Sequence, residues 1–328
     1  MSYVYYTNDG KTFPNRLEAL SYASKTGQTA FINYHDELWS KLDWTVEPEG
    51  ALDFHYKMQA QRIRDEYDYV VLCYSGGFDS TNILETFYFN NIKLDKIVVT
   101  GPFKQDSYSG SDENHNGEIY ENAFPYLTQL RLNSIVQVID YTDLYGDVTQ
   151  FSAYELGGNW VEEIGCRYSP HHFFWRDLDR YVVPTQYQDK KTAIIWGTDK
   201  PKLHGNSFQF MDNAITSYAR FSQNPRHNVT NINFYWDPDY PLILLKQLHT
   251  LKRYQNVCSQ EDVARVVYRL KQPLNFKSGK SPTLLIAKRD MFLLNKTNSG
   301  IYDFYQMGVK KLNENVNTNI KSKTYHIH

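Results

Sequence analysis

Cysteine is scarce in this chain: Cys73, Cys166 and Cys258 are the only three in 328 residues. No two of them have C-x-x-C spacing, which argues against a disulfide framework and against a cysteine-only zinc or iron–sulfur centre. Long apolar runs are missing as well; none approaches the ~20 residues that span a bilayer. The opening stretch, Met1 to Asp9, has no basic region followed by an apolar one, so no secretory signal is expected. These absences together imply reduced thiols in a cytoplasmic protein without a membrane partner. Charge of one sign is also lacking. With 35 basic against 37 acidic residues the formal net charge is −2, which is no overall nucleic-acid footprint, although a local basic patch fits within that total. The dinucleotide fingerprint G-x-G-x-x-G is absent. Ser278-Gly279-Lys280-Ser281 imitates the end of a Walker A loop, but Leu274 stands where its first glycine is required and Pro282 follows where a helix should run.

What is present is a globular balance of 41% hydrophobic and 22% charged residues. Residues 1–65 read as a small N-terminal region, with a polar turn at Asn8-Asp9-Gly10 and helical patches near Leu17–Ser24 and Phe54–Tyr67. From residue 66 to 253 the pattern is α/β. Tyr69–Tyr74 is a short β-branched and aromatic run of the kind buried on both faces of a sheet. Ser80–Asn91 carries Ile83, Leu84, Phe87 and Tyr88 on one helical face. Further strands are expected at Lys96–Thr100, Ile135–Asp140 and Thr192–Trp196, and a helix at Glu118–Asn133 that Pro125 would kink. Strands separated by helices imply a parallel sheet. Between them, Gly101–Gly117 is a long polar segment that suits a mobile cover over a site. Residues 254–328 read as a helical extension.

One stretch stands out: Leu72-Cys73-Tyr74-Ser75-Gly76-Gly77-Phe78-Asp79-Ser80. Strand, glycine turn and helix in succession point backbone N–H groups at an anion. Gly76 and Gly77 permit φ > 0 and close approach of a phosphate, Ser75 and Ser80 add hydroxyls, and Asp79 can reach an accompanying Mg²⁺. A tight turn in which Asp79 or Ser80 merely caps the helix fits the same spacing. Cys166 to Arg176, with His171 and His172 adjacent, could present one histidine and an arginine to an anionic substrate. A packed aromatic cluster explains that stretch more simply.

Ser75-Gly76-Gly77-Phe78-Asp79-Ser80 after an apolar strand resembles S-G-G-x-D-S, the pyrophosphate loop of the N-type ATP pyrophosphatase (PP-loop) superfamily. That superfamily includes the asparagine, GMP and NAD synthetases and the deazaguanine nitrile synthase. The resemblance covers Tyr67 to Arg253 and implies a Rossmann-like, HUP-type domain. It also implies a nucleotide site made by residues 75–80 with Thr100, Gly197 and Thr198, in which Asp79 and Asp199 face Mg²⁺ and Asp79, Lys200 and Lys246 serve catalysis. Lys246, after Pro241-Leu242, stands about one position from the spacing expected of such a lysine. The implied chemistry is cleavage of ATP to AMP and pyrophosphate while a substrate oxygen is adenylated for attack by an amine, ammonia or a sulfur donor. The glutaminase domain of some relatives has no room here, and the paired cysteines of the iron–sulfur tRNA thiolases are missing. The acceptor is thus an unidentified small molecule, with tRNA or another nucleic acid as a less favoured substrate and a non-catalytic nucleotide-binding module as a third reading. A homo-oligomer is compatible with all three.

Overall fold

The structure, a computed structural model, describes residues 4–13, 16–33, 35–101, 103, 118–140, 178–197, 207–209, 228–254, 320–321 and 324–326. In chain order the first elements are strands β1 (Val4–Thr7), β2 (Thr12–Phe13) and β3 (Ala30–Asn33), with helices α1 (Arg16–Thr26) and α2 (Asp36–Trp39), then α3 (Leu52–Glu66). The central elements follow: β4 (Tyr69–Cys73), α4 (Phe78–Phe89), β5 (Lys96–Gly101), a π-helical turn (Ile119–Ala123) running into α5 (Phe124–Gln129), and β6 (Val136–Asp140). After these come α6 (Asp179–Val182), β7 (Thr192–Trp196), β8 (Ser207–Gln209), β9 (Val229–Asn233), α7 (Pro241–Tyr254), β10 (Ile320–Lys321) and β11 (Thr324–His326).

Five strands form one parallel sheet in the order β6-β5-β4-β7-β9. The three middle strands are rich in Val and Ile because both faces are covered, so nearly every residue must be apolar. The two-residue period of a strand then sorts them. Val70 and Leu72 of β4, with Ile97, Val99, Ala193 and Ile195, join α3, α4, α5 and α7 in one core. Tyr69 and Val71, with Val98, Ile194 and Trp196, face Leu178 and Val182 on the other side. The architecture is therefore α/β with a parallel, Rossmann-like sheet between helices.

The larger core also takes in Trp39, Trp44, Leu52, Tyr56, Ala60 and Ile63, from the stretch that sequence assigns to a separate N-terminal region. Asp237, buried after β9, ties the same layer together: it accepts a hydrogen bond from Gln59 of α3 (2.6 Å) and pairs with the Arg62 guanidinium.

Residues 4–33 make a sheet of their own that composition did not suggest. Asn8-Asp9-Gly10 is the hairpin turn, with Gly10 at φ +85°, and β10 near the chain's end pairs parallel with β3. In residues 254–328 the described elements beyond Tyr254 are two short strands, β10 and β11, where a helical extension was expected. The rest of that extension lies outside the described residues, as do 104–117, Cys166–Arg176 and Ser278–Ser281. No helix among the described residues is long and apolar enough to cross a membrane.

Candidate functional site

Strand order fixes where a ligand can sit. Chain order runs β4, β5, β6 to one side of the sheet, then returns to β7 and β9 on the other, so the order reverses between β4 and β7. Crossovers leave opposite faces at such a point and open a crevice beyond the carboxyl ends of the two strands. Ser75–Ser80 leaves β4 there, and Gly197 leaves β7 beside it.

The turn is stiffer than its two glycines suggest. Gly76 has φ +83° and is buried, so only this position requires the left-handed region. A Cβ there would come within 2.8 Å of the Ala123 backbone nitrogen, so the π-helical turn presses directly on it. Gly77, expected to share the positive φ, instead takes φ −75° and ψ 166° as the N-cap of α4, with no side-chain cap. Its Cβ would lie 2.9 Å from Glu118 Oε1 and 3.2 Å from Ser75 Oγ, the ends of side chains rather than backbone. The serines fold inward on each other. Ser75 Oγ lies 3.2 Å from Ser80 Oγ and accepts the Gly77 N–H at 3.2 Å, while Ser80 Oγ donates to the Gly77 carbonyl at 3.2 Å. Helix α4 starts at Phe78, and the N–H groups of any first helical turn lack intrahelical acceptors.

Gly197 closes the other wall. A Cβ on it would stand 2.9 Å from the Ser80 backbone nitrogen and 3.0 Å from Ile83 Cδ1, so β7 leaves the sheet in contact with the first turn of α4. Thr100, half-buried at the end of β5, belongs to the same carboxyl edge. Thr198, Asp199 and Lys200 lie outside the described residues. Lys246 does not join the group. Its ammonium is buried on α7 against Glu47 Oε1 (2.6 Å) and the Pro48 carbonyl (3.0 Å), an arrangement that holds residues 47–48 onto the helix.

Two residues that sequence reasoning passed over belong here. Glu118, at the head of the π-helical turn, is half-buried beside Asp79; burial first, and the Asp79 charge second, push its carboxyl up to about 7. Its only sequence signal was its position at the end of a long polar segment. Tyr235 has none: from the turn after β9 its hydroxyl donates to the Asp79 carbonyl (2.7 Å) and accepts from Asn82 Nδ2 (3.1 Å), fixing the first turn of α4 from the far side. Burial pushes the Cys73 thiol well up, so the cysteine next to the turn is no thiolate at neutral pH.

The Glu118 carboxyl gives a first prediction. Its folded-state pKa is raised above the unfolded value, so the charge is tolerated in the unfolded chain from about 4.5 upward and penalised in the fold until about 7. Stability therefore falls as pH climbs through that window. The full penalty at about pH 8 is at most about 3 kcal/mol, and roughly half that for a side chain still touching water. Glu118→Gln is expected to raise stability by about 1–2 kcal/mol at about pH 8 and by almost nothing at about pH 5, read from urea melts at both. Equal gains at the two pH values would contradict the placement.

No protein-family model and no curated protein matches the chain.

Proposed function

We propose that the crevice between β4 and β7 binds the triphosphate of ATP and that the protein is an ATP pyrophosphatase-type ligase, forming AMP and pyrophosphate. The supporting observation is the packing of Gly76 and Gly197. A turn that must be left-handed and a strand exit that touches the first turn of α4 leave no room for side chains, and both stand at the reversal point of the sheet. This packing brings the glycine turn, the exit of β7 and the first N–H groups of α4 to one place, an arrangement that can hold an anion.

In this reading the turn and the first N–H groups of α4 take the β- and γ-phosphates as the departing pyrophosphate. A carboxyl, amide or ureido oxygen of a small molecule attacks the α-phosphorus, and the α–β phosphoanhydride bond breaks. An amine, ammonia or a sulfur nucleophile then displaces AMP. Ser75 and Ser80 shape the turn, Thr100 and Gly197 line it, and Tyr235 holds the Asp79 segment in place. Asp79 would hold Mg²⁺, which supplies charge neutralisation on the departing pyrophosphate. The Asp79 charge acts on the Glu118 carboxyl as a like charge, which a cation carried by the phosphates would offset. Thr198, Asp199 and Lys200 lie outside the described residues, and their expected roles at the metal and phosphates rest on the resemblance alone.

Pyrophosphate release from ATP, measured with pooled small metabolites in one arm and bulk tRNA in another, tests the reading. Release stimulated at least about tenfold over background by metabolites is expected. Stimulation by tRNA alone would move the acceptor to nucleic acid. Nucleotide binding without release in any arm would leave a binding module.

A further inference from the structure

The chemistry above makes no use of β10 and β11, yet each of these short strands adds to a different sheet. β10 lies parallel on the outer edge of β3, with Ile320 opposite Ala30 and Lys321 opposite Phe31. β11 runs antiparallel to β8, with Thr324, Tyr325 and His326 opposite Gln209, Phe208 and Ser207. The two docking points are unlike. β3 belongs to a sheet with its own core, in which Ala30 and Ile32 are buried with Tyr5, Phe13 and Leu20, so its edge stands ready whether or not β10 covers it. β8 has no such support: among the described residues β11 is its one partner strand. β8 also begins ten residues after Gly197, the residue that closes one wall of the candidate site.

Pairings of two and three residues are marginal by themselves, the parallel one more so. Their linkage is what lets both persist. Only Ser322 and Lys323 separate the strands, so Lys321 and Thr324 stand at most about 11 Å apart. Once one strand docks, the other is confined beside its own edge at an effective concentration of roughly millimolar, and the effect is reciprocal. We propose that residues 320–326 are a bivalent strap: they dock by backbone pairing on β3 and on β8 at once, and so tie the chain that leaves the candidate site at Gly197 to the N-terminal sheet. Ten residues of chain reach up to about 35 Å, and the strap replaces that freedom with one address beside β3. This holds whatever the crevice binds.

The test breaks one end of the strap and reads the other, by hydrogen exchange and mass spectrometry on the full chain. Proline disrupts a ladder by removing an N–H. Ile320→Pro is expected to speed exchange at Ala30–Asn33 and also, at least about tenfold, at Ser207–Gln209, which it does not touch. Tyr325→Pro should free Ser207–Gln209 directly and speed exchange at the β3 edge at least about threefold. Effects confined to the broken pairing in both variants would overturn the strap and leave two unrelated pairings. A crosslink checks that one molecule supplies both ends. Phe208 and Tyr325 are directly opposed, and opposed residues of an antiparallel pair lie about 4.5–5.5 Å apart, within disulfide range. Phe208→Cys combined with Tyr325→Cys should therefore close a disulfide within one chain on mild oxidation, while Ser207→Cys with Thr324→Cys, out of register by two, closes at least about tenfold more slowly. Equal rates for the two pairs, or a disulfide that joins two molecules, would overturn the proposal.

Discussion

Gly76→Ala is expected to cost the fold about 2–4 kcal/mol, whereas Gly77→Ala, one residue on, should cost less than about 1 kcal/mol. The two glycines are neighbours in sequence and differ in every physical respect. At Gly76 the backbone is at φ +83°, a region that costs an L-residue about 1–2 kcal/mol, and the new methyl would meet the Ala123 backbone 2.8 Å away. Backbone in a packed turn cannot step aside without moving the π-helical turn and the core behind it, Tyr126 and Leu127 included. At Gly77 the φ of −75° suits any residue, and the obstacle is the end of the Glu118 side chain, which can rotate. Urea melts separate the two, and equal losses would show that the turn is not held as described. Nucleotide binding should reverse the ranking of what matters: the folded Gly77→Ala protein is expected to lose at least about tenfold in affinity for a non-cleavable ATP analogue, because the added methyl displaces the Glu118 carboxyl and Ser75 hydroxyl that border the proposed cradle.

How much of this could be read beforehand depended on how local the cause was. Tyr69–Cys73, Lys96–Gly101 and Thr192–Trp196 are β-branched runs buried on both faces, and they were legible at almost their true limits. Val229–Asn233 was not. As the edge strand it keeps an exposed Thr230, and its Thr and Asn residues blur the apolar run that marks an inner strand. The kink expected at Pro125 appears as a change of helix type: the π turn ends at Ala123, and Pro125 sits in the first turn of α5, where its missing N–H costs nothing. The glycine turn itself was visible because its constraint is in the backbone. Its partners were not. Glu118 and Tyr235 stand 39 and 156 residues from Asp79 in the chain and reach it through tertiary packing alone. Lys246 shows the opposite failure, since a lysine at roughly the right distance along the chain turns out to be satisfied by Glu47 and Pro48.

Asp79→Asn joins the site's chemistry to its cost. The substitution keeps the side chain's shape and the Tyr235 hydrogen bond, which goes to the Asp79 carbonyl on the main chain. What it removes is one of the two adjacent negative charges. If Asp79 holds the cation that neutralises departing pyrophosphate, turnover at saturating Mg²⁺ and ATP should fall at least about a hundredfold. The same substitution should stabilise the ligand-free protein at about pH 8, because the Asp79 charge is one of the two causes that raise the Glu118 carboxyl. Asp79→Asn and Glu118→Gln relieve the same repulsion, so their gains should not add: the double variant is expected to fall short of the sum by about 0.5–1 kcal/mol. An aspartate that only favours the N-terminal first turn of α4 predicts the reverse, a loss of stability of about 0.3–1 kcal/mol on removing its charge and no shortfall in the double variant. Loss of turnover together with gained, non-additive stability is the signature of charges held together for an ion. Additive gains, or a destabilised Asp79→Asn, would leave Asp79 as a charge serving only the first turn of α4 and take the metal out of the proposed site.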